Sequence, residues 1–455
     1  MIRMHLSEAA PLLAAQLRGA DVEFAGVSTD TRTLKARNLF VALSGPRFDA
    51  HHFLTQASAL GAAAALLNKP VDTSLPALLV PDTRLGLGKL ASAWRQRFHI
   101  PLIAVTGSNG KTTVKEMIAA ILRQRGEVLV TQGNLNNDIG LPLTLLQLDA
   151  RHRFAMIEMG ANHPGEIAYL TRIAAPTVAL ITNAGPAHLE GFGSVEGVAR
   201  AKGELFAGLS EQGTAILNHD DVYAPLWRDL IGKRRVLSFG LEHAADVSAE
   251  WAPAAHGSYM RMHTPQGQLE IRLHLPGRHN VLNALAASAA ALAAGAELTD
   301  IQRGLESMQP VAGRLQMKNG IHRSAVIDDS YNANPASLSA AIEVLAAYPT
   351  TKWLVLGDMA ELGADAASMH AEVGRQAHAV GINRLFASGS LSSLAAQSFG
   401  KDARHFATQN ELITALQDAL AAVTPGTVTL LVKGSRSAQM EHVVAALTQQ
   451  SAGGH

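Results

Sequence analysis

The chain has 455 residues, 47% of them hydrophobic and 17% charged, a balance that excludes a disordered protein and, at roughly 150 residues per domain, implies about three domains. Lys plus Arg and Asp plus Glu number 38 each, so no net field attracts a nucleic acid or an acidic membrane, and any anion site must be local. The absence of Cys excludes disulfides, thiolate nucleophiles and Cys-ligated metals. With no signal-peptide core at the start and no run of roughly 20 apolar residues, a cytoplasmic protein without membrane insertion is expected, and with no interface signal, a monomer.

In chain order, a connecting segment is expected at 80–87, around Pro81 and two glycines, and a second at 309–313, Gln-Pro-Val-Ala-Gly. Short apolar runs at 102–106, 154–158, 177–182, 324–328, 353–358 and 427–433 are each followed by a polar or glycine turn and a helical pattern. That reads as buried parallel strands with crossover helices, an α/β fold. Residues 259–264 and 268–275 alternate in polarity around Pro265-Gln266-Gly267 and predict an antiparallel hairpin at the edge of the central sheet. The alanine-rich run at 284–295 predicts a packed helix rather than a membrane span.

After the strand at 102–106, Gly107-Ser108-Asn109-Gly110 predicts a tight loop, and a helix starts at Lys111 with Val114, Met117, Ile118, Ile121 and Leu122 on one face. Glycines let backbone N–H groups close around phosphate oxygens, Lys111 adds positive charge, and the Thr112 hydroxyl suits Mg²⁺. The motif is a variant phosphate loop, since Val105 stands where the usual first glycine falls. Glu158 ends one strand and His188 lies just beyond another, at the strand ends where open α/β sheets bind ligands. Both are therefore candidate metal ligands, Glu158 as a hard oxygen donor. On the helix expected at 194–209, Lys202 falls on the apolar face with Val198, Leu205, Phe206 and Leu209. It either snorkels to water or, desolvated to a neutral amine, reacts with CO₂ to give a carbamate that ligates a second metal.

Thr106-Gly107-Ser108-Asn109-Gly110-Lys111-Thr112-Thr113, Glu158-Met159-Gly160, His188 and Ala201-Lys202 together resemble the ATP-dependent Mur ligases of bacterial cell-wall synthesis. The resemblance covers most of the chain. Gly277-Arg278-His279-Asn280 is similar to the family's adenine-side motif, and Gly313-Arg314 and Asp328-Asp329-Ser330-Tyr331-Asn332-Ala333-Asn334-Pro335 to its third-domain motifs. Gly133-Asn134-Leu135-Asn136-Asn137-Asp138-Ile139-Gly140 points to the branch that adds D-alanyl-D-alanine to UDP-N-acetylmuramoyl-tripeptide. Ser28-Thr29-Asp30-Thr31-Arg32 and Phe48-Asp49-Ala50-His51 resemble its UDP-sugar domain.

The resemblance implies three domains: a small α/β UDP-substrate domain (1–82), a central parallel-sheet ATPase domain with an antiparallel edge (83–311) and a Rossmann-like domain (312–455). It implies Mg²⁺ on Thr112, Glu158, His188 and modified Lys202. Lys111 and Arg314 act on the phosphates, Asn280 contacts adenine and Asp328 ribose. Ser28, Asp30, Arg32, Asn136, Asn137, Tyr331, Asn332 and Lys433 meet the substrates. Asn334-Pro335 also reads as a plain helix N-cap. Rival readings are a sister amino-acid-adding ligase, a folate-type glutamate ligase, and a regulatory ATPase, which would not need the Glu158, His188 and Lys202 cluster.

Overall fold

The computed structural model describes residues 1–46, 48–254 and 257–448; the last residues of the expected third domain lie outside them. Its centre is a six-stranded all-parallel sheet in the order Glu127–Val130, His152–Glu158, Leu102–Thr106, Val178–Ile181, Thr214–Asn218, Arg235–Phe239. The runs are apolar throughout because both faces are covered. Leu102 and Ala104 join a core with the helices Thr83–Arg95, Glu166–Ala174, Val195–Ala207 and Ala224–Ile231. Ile103 and Val105 point the other way, onto Lys111–Leu122, Arg278–Ala293 and Leu298–Glu306. Alternate residues of one strand thus feed two cores.

The expected hairpin forms, with Gly257–Thr264 paired to Gly267–Leu273, but it does not extend the central sheet. It joins Ser248–Ala254 in a separate three-stranded antiparallel sheet. The reason is burial: Met260, Met262, Ile271 and Leu273 make one apolar face, which packs on the central core with Arg278–Ala293 instead of adding hydrogen bonds to the edge strand Arg235–Phe239. That helix is buried nearly all round, and its alanines let sheet and hairpin close on it from two sides.

Residues near the start build a five-stranded sheet, Gln16–Arg18, Ala77–Leu79, Ala64–Leu67, Leu39–Val41, Val27–Ser28, parallel except at Gln16–Arg18. Leu39, Val41 and Leu66 share a core with Leu87 and Leu90 of the next helix, so this unit is packed onto the central sheet rather than tethered to it. The connecting segment expected at 80–87 is correspondingly short. Asp82 accepts from the N–H groups of Arg84 and Leu85 and starts a helix at Thr83.

The third unit is a six-stranded sheet, Gln316–Asn319, Ala325–Asp329, Val428–Lys433, Thr351–Gly357, Arg384–Ser388, Ala403–Phe406, parallel except for the first strand, with a core on each face. His370 lies fully buried beside the turn after Gly357; its Nε2 accepts from the N–H of Met359 at 2.9 Å while Nδ1 meets the carbonyl of Ala366 at 2.7 Å. His370→Ala leaves that N–H unpaired and opens a void, and should lower stability by about 2–4 kcal/mol in urea unfolding. A loss below 0.5 kcal/mol would show that the histidine does not hold the turn. Among the described residues no helix is long and apolar enough to cross a membrane.

Candidate active site

The loop after Leu102–Thr106 is shaped by two glycines. Gly110 sits at φ +82°, a left-handed conformation, and a Cβ there would meet Asn283 Oδ1 at 2.5 Å; at Gly107 a Cβ would strike the Thr182 hydroxyl. The loop is braced from the neighbouring strand. Ser108 N–H donates to the Asn183 carbonyl, Asn109 N–H to Asn183 Oδ1 at 2.9 Å, and the Thr182 hydroxyl to the Asn109 carbonyl at 2.6 Å. The first turn of the helix Lys111–Leu122 then presents its unpaired N–H groups to a cavity of about 970 Å³. Lys111 Nζ donates to the Gly107 carbonyl at 2.6 Å. Burial pushes its pKa down; Glu158 counters and Arg314 adds to the effect. Ser108, Asn109, Gly110, Lys111, Thr112 and Thr113 all line the cavity. Thr106 does not: strand alternation turns it inward, and its hydroxyl donates to the Met159 carbonyl at 2.8 Å, so its expected nucleotide contact is corrected to a structural one.

Glu158 is buried, and its carboxylate is gripped on both oxygens. Thr112 Oγ1 donates to Oε2 at 3.0 Å and Asn136 Nδ2 to Oε1 at 2.9 Å. A buried cation stands behind it, Lys115, whose Nζ bonds the Thr131 carbonyl at 2.8 Å and lies 4.0 Å from Oε2. Sequence reasoning missed Lys115. It shares the apolar face of its helix with Ile118, Ala119 and Leu122, the same signal that singled out Lys202. Asn137 braces the turn before the helix Gly140–Leu145, its Oδ1 accepting from the N–H groups of Ile139 at 3.2 Å and Gly140 at 2.9 Å.

Lys202 is 3% exposed, so it does not snorkel, and its ammonium has no hydrogen-bond or ion-pair partner among the described residues. Burial pushes its pKa well below the usual lysine value, and the charge of Lys111 pushes the same way. His188 lines the same cavity. Its Nδ1 lies 2.5 Å from Glu361 Oε2 of the third unit, without hydrogen-bond alignment, and Leu189 N–H donates to the Glu361 carbonyl. Burial lowers the imidazole pKa, Glu361 opposing and Lys111 and Lys202 reinforcing. Among the described residues no three acidic or histidine side chains converge on one point as a ready metal cage.

The third unit reaches into the cavity. Arg314 Nη2 donates to Thr112 Oγ1 at 3.1 Å, and its guanidinium lies over the Tyr331 ring, 4.5 Å from the centroid. Asn334 caps the helix Pro335–Ala346 and also donates from Nδ2 to Asn109 Oδ1 at 2.7 Å, tying that unit to the phosphate loop. Lys433 is not a free cation: Nζ sits 2.5 Å from Asp329 Oδ2 and 2.9 Å from the Asn332 carbonyl. Burial pushes the Asp329 pKa up, against the pull of Lys433 and Arg314.

The expected ribose contact is corrected as well. Asp328 and Asp329 point to opposite faces of their strand, and Asp329 lines the cavity, whereas Asp328 pairs with Lys318 Nζ at 2.8 Å and accepts from the Ser330 hydroxyl. Asn280 lines the cavity and donates to the Pro276 carbonyl at 2.8 Å. Beside it His279, half-buried in the cavity wall, has a pKa lowered to about 4 by desolvation and by Lys433. Tyr331 and Asn332 also line the cavity. Ser28, Asp30 and Arg32 stand away from it on the first sheet, where Arg32 Nη2 pairs with Asp30 Oδ2 at 2.5 Å and the Ser28 hydroxyl donates to the Asp30 carbonyl.

Residues 105–291 match the Mur ligase middle domain and residues 313–436 the Mur ligase, glutamate ligase domain. The UDP-N-acetylmuramoyl-tripeptide–D-alanyl-D-alanine ligase of Escherichia coli is 48% identical over 99% of both chains. The UDP-N-acetylmuramoylalanyl-D-glutamyl-2,6-diaminopimelate–D-alanyl-D-alanyl ligase of Acinetobacter baumannii is 37% identical, with a TM-score of 0.90 over 99% of each chain. MurF from Thermotoga maritima, in complex with ADP, is 28% identical with a TM-score of 0.80, covering 92% of this chain and 96% of that one. Identity on this scale over the whole length, joined to a phosphate loop and third-unit arginine that meet over one cavity, places the chain in the Mur ligase family.

Proposed function

We infer that this protein is an ATP-dependent ligase that joins D-alanyl-D-alanine to the peptide carboxylate of UDP-N-acetylmuramoyl-tripeptide, releasing ADP and phosphate. The observation that carries the reading is the contact of Arg314 with Thr112: residues of two units surround the place where a γ-phosphate would lie. The reading includes domain limits at 1–82, 83–311 and 312–455, and cytoplasmic work on a soluble precursor.

Amide formation in water is uphill, so the carboxylate is first activated. It attacks the γ-phosphate of ATP to give an acyl phosphate and ADP, and the neutral amine of D-alanyl-D-alanine then displaces phosphate. Two anions must approach in the first step. Lys111, Arg314 and the helix N-terminus are held ready to offset that repulsion, at little reorganisation cost. Thr112 and Glu158, an aligned hydroxyl and carboxylate 3.0 Å apart, are an ordinary oxygen set for Mg²⁺, with His188 Nε2 and Lys202 in the same wall. The ion, when bound, would screen phosphate charge. A carbamate on Lys202 would add a second anionic donor beside Glu158. Asp329 rather than Asp328 is the carboxylate placed for the ribose, and Asn280 stands on the adenine side. Closure of the third unit over the cavity would keep water from the acyl phosphate.

The test is ADP release with Mg-ATP and UDP-N-acetylmuramoyl-tripeptide, comparing D-alanyl-D-alanine with D-alanine, L-glutamate and no amine. Turnover should require both the tripeptide and D-alanyl-D-alanine. Use of a single amino acid would reassign the protein to a sister ligase, and amine-independent hydrolysis to a regulatory ATPase.

A further inference from the structure

His188 and Glu361 meet across the boundary between the central and third units, and both have left-handed backbones, at φ 54° and φ 61°. That conformation is unfavourable for any residue with a Cβ, so it persists only where surrounding contacts enforce it. Here the anchors are identifiable. The loop carrying Glu361 is fixed in the third unit by Met359 and Leu362, both buried in its core, and by Asp358, whose Oδ1 accepts from Ser392 N–H at 2.7 Å. The turn carrying His188 is fixed on the helix of Lys202, because Phe192 packs with Val198 and Ala201.

The two loops touch at two points. Leu189 N–H donates to the Glu361 carbonyl at 3.0 Å, and Glu361 Oε2 lies 2.5 Å from His188 Nδ1. Nδ1 is shut off from water, and among the described residues no hydrogen bond is aligned on it. A buried polar nitrogen needs a partner, and this carboxylate is the group in reach. At 54% exposure the carboxylate has room to swing into line. Once Nδ1–H donates to Glu361, the lone pair of the ring is on Nε2, the nitrogen left for the cavity that His188 lines.

Resting on the ligase reading, we propose that Glu361 is a positioning residue for the metal site: it fixes the ring and tautomer of His188 so that Nε2 is a ready donor to the ion that Glu158 would hold. It acts through the imidazole and does so from the third unit, so the site is complete only when that unit is seated. A carboxylate behind a metal-binding histidine holds its orientation and raises its basicity, and removing one typically costs about ten- to hundredfold in metal affinity or activity. Seating and ion binding are then linked in both directions: an ion on Nε2 favours the seated arrangement, and seating favours the ion. The enforced left-handed backbones of both residues serve that contact.

The experiment follows Mn²⁺ binding to the full-length protein with ADP by electron paramagnetic resonance, without turnover, in wild type, Glu361→Ala, Glu361→Gln, His188→Ala and the double variant. Glu361→Ala should weaken Mn²⁺ binding by about tenfold or more and remove the nitrogen coupling that an imidazole on the ion gives. Glu361→Gln keeps an acceptor oxygen and should restore most of both. In the His188→Ala background, Glu361→Ala should make no further difference. Unchanged affinity and nitrogen coupling in Glu361→Ala, or a further loss of equal size in the double variant, would each overturn the proposal. The Leu189 contact uses the backbone carbonyl of Glu361 and survives every substitution there, so a loss in Glu361→Ala belongs to the carboxylate. Absence of D-alanyl-D-alanine-dependent ADP release in wild type would overturn the ligase reading itself, a result distinct from an Mn²⁺ site indifferent to Glu361.

Discussion

Lys111→Met is expected to lower kcat/KM for ATP by about a thousandfold, the scale of removing a preorganised cation from phosphoryl transfer. Without nucleotide, Nζ is held by the Gly107 carbonyl in the half-buried cavity wall, where it feels both Glu158 and Arg314, so the protein carries the cost of a partly dehydrated ammonium before phosphate arrives. Methionine keeps the volume and removes that cost. The melting temperature should therefore stay level or rise while activity disappears. The pH dependence has a definite sign. Burial lowers the folded-state pKa, so between that value and the ordinary one the unfolded chain holds an extra proton, and stability rises with pH through the window. The methionine variant should lose that slope. Retained activity would place the nucleotide elsewhere, and a large loss of stability would make the lysine a structural residue.

Lys202→Ala should cost about a hundredfold or more in kcat, with partial recovery on adding formate or acetate. The side chain is buried on an apolar face with no partner, and Lys111 is near enough to push its pKa further down. A bare ammonium there would be a net destabiliser. A neutral amine can instead bond to CO₂ through nitrogen, release a proton and become an anion facing Lys111. That turns a like-charge conflict into an attraction. Wild-type protein freed of CO₂ should lose activity and regain it with bicarbonate, whereas Lys202→Ala should respond to short carboxylates and not to bicarbonate. Unchanged activity in Lys202→Ala would sink the modification and leave a packing role.

Some of this site was readable in one pass along the chain. The phosphate loop was, because strand, glycine turn, lysine and helix are contiguous and each follows from local backbone preference. Lys202 was flagged by helical period alone, and burial then decided against snorkelling. Lys115 carried the same period and was overlooked beside the louder Lys111. Thr106 and Asp328 belong to the motifs that carry the resemblance, which implies a nucleotide contact for each. One step of strand alternation turns Asp328 away from the cavity and Asp329 towards it, while Thr106 ends its strand facing inward and the loop residue Ser108, two positions on, lines the cavity. Arg314 was named by resemblance, but its reach to Thr112 was not visible, nor was Glu361 against His188.

By itself, then, the sequence determined the parallel α/β character, the nucleotide loop and the placing of Lys202 on an apolar helix face, since these depend on the period and turn chemistry of neighbouring residues. Only the tertiary structure decided which carboxylate of a pair faces the cavity, that the hairpin leaves the central sheet for the alanine-rich helix, and that Lys433 is neutralised by Asp329. Those outcomes rest on contacts between residues dozens to hundreds of positions apart. There, strand facing and the packing of one unit on another choose among partners that local pattern leaves equivalent.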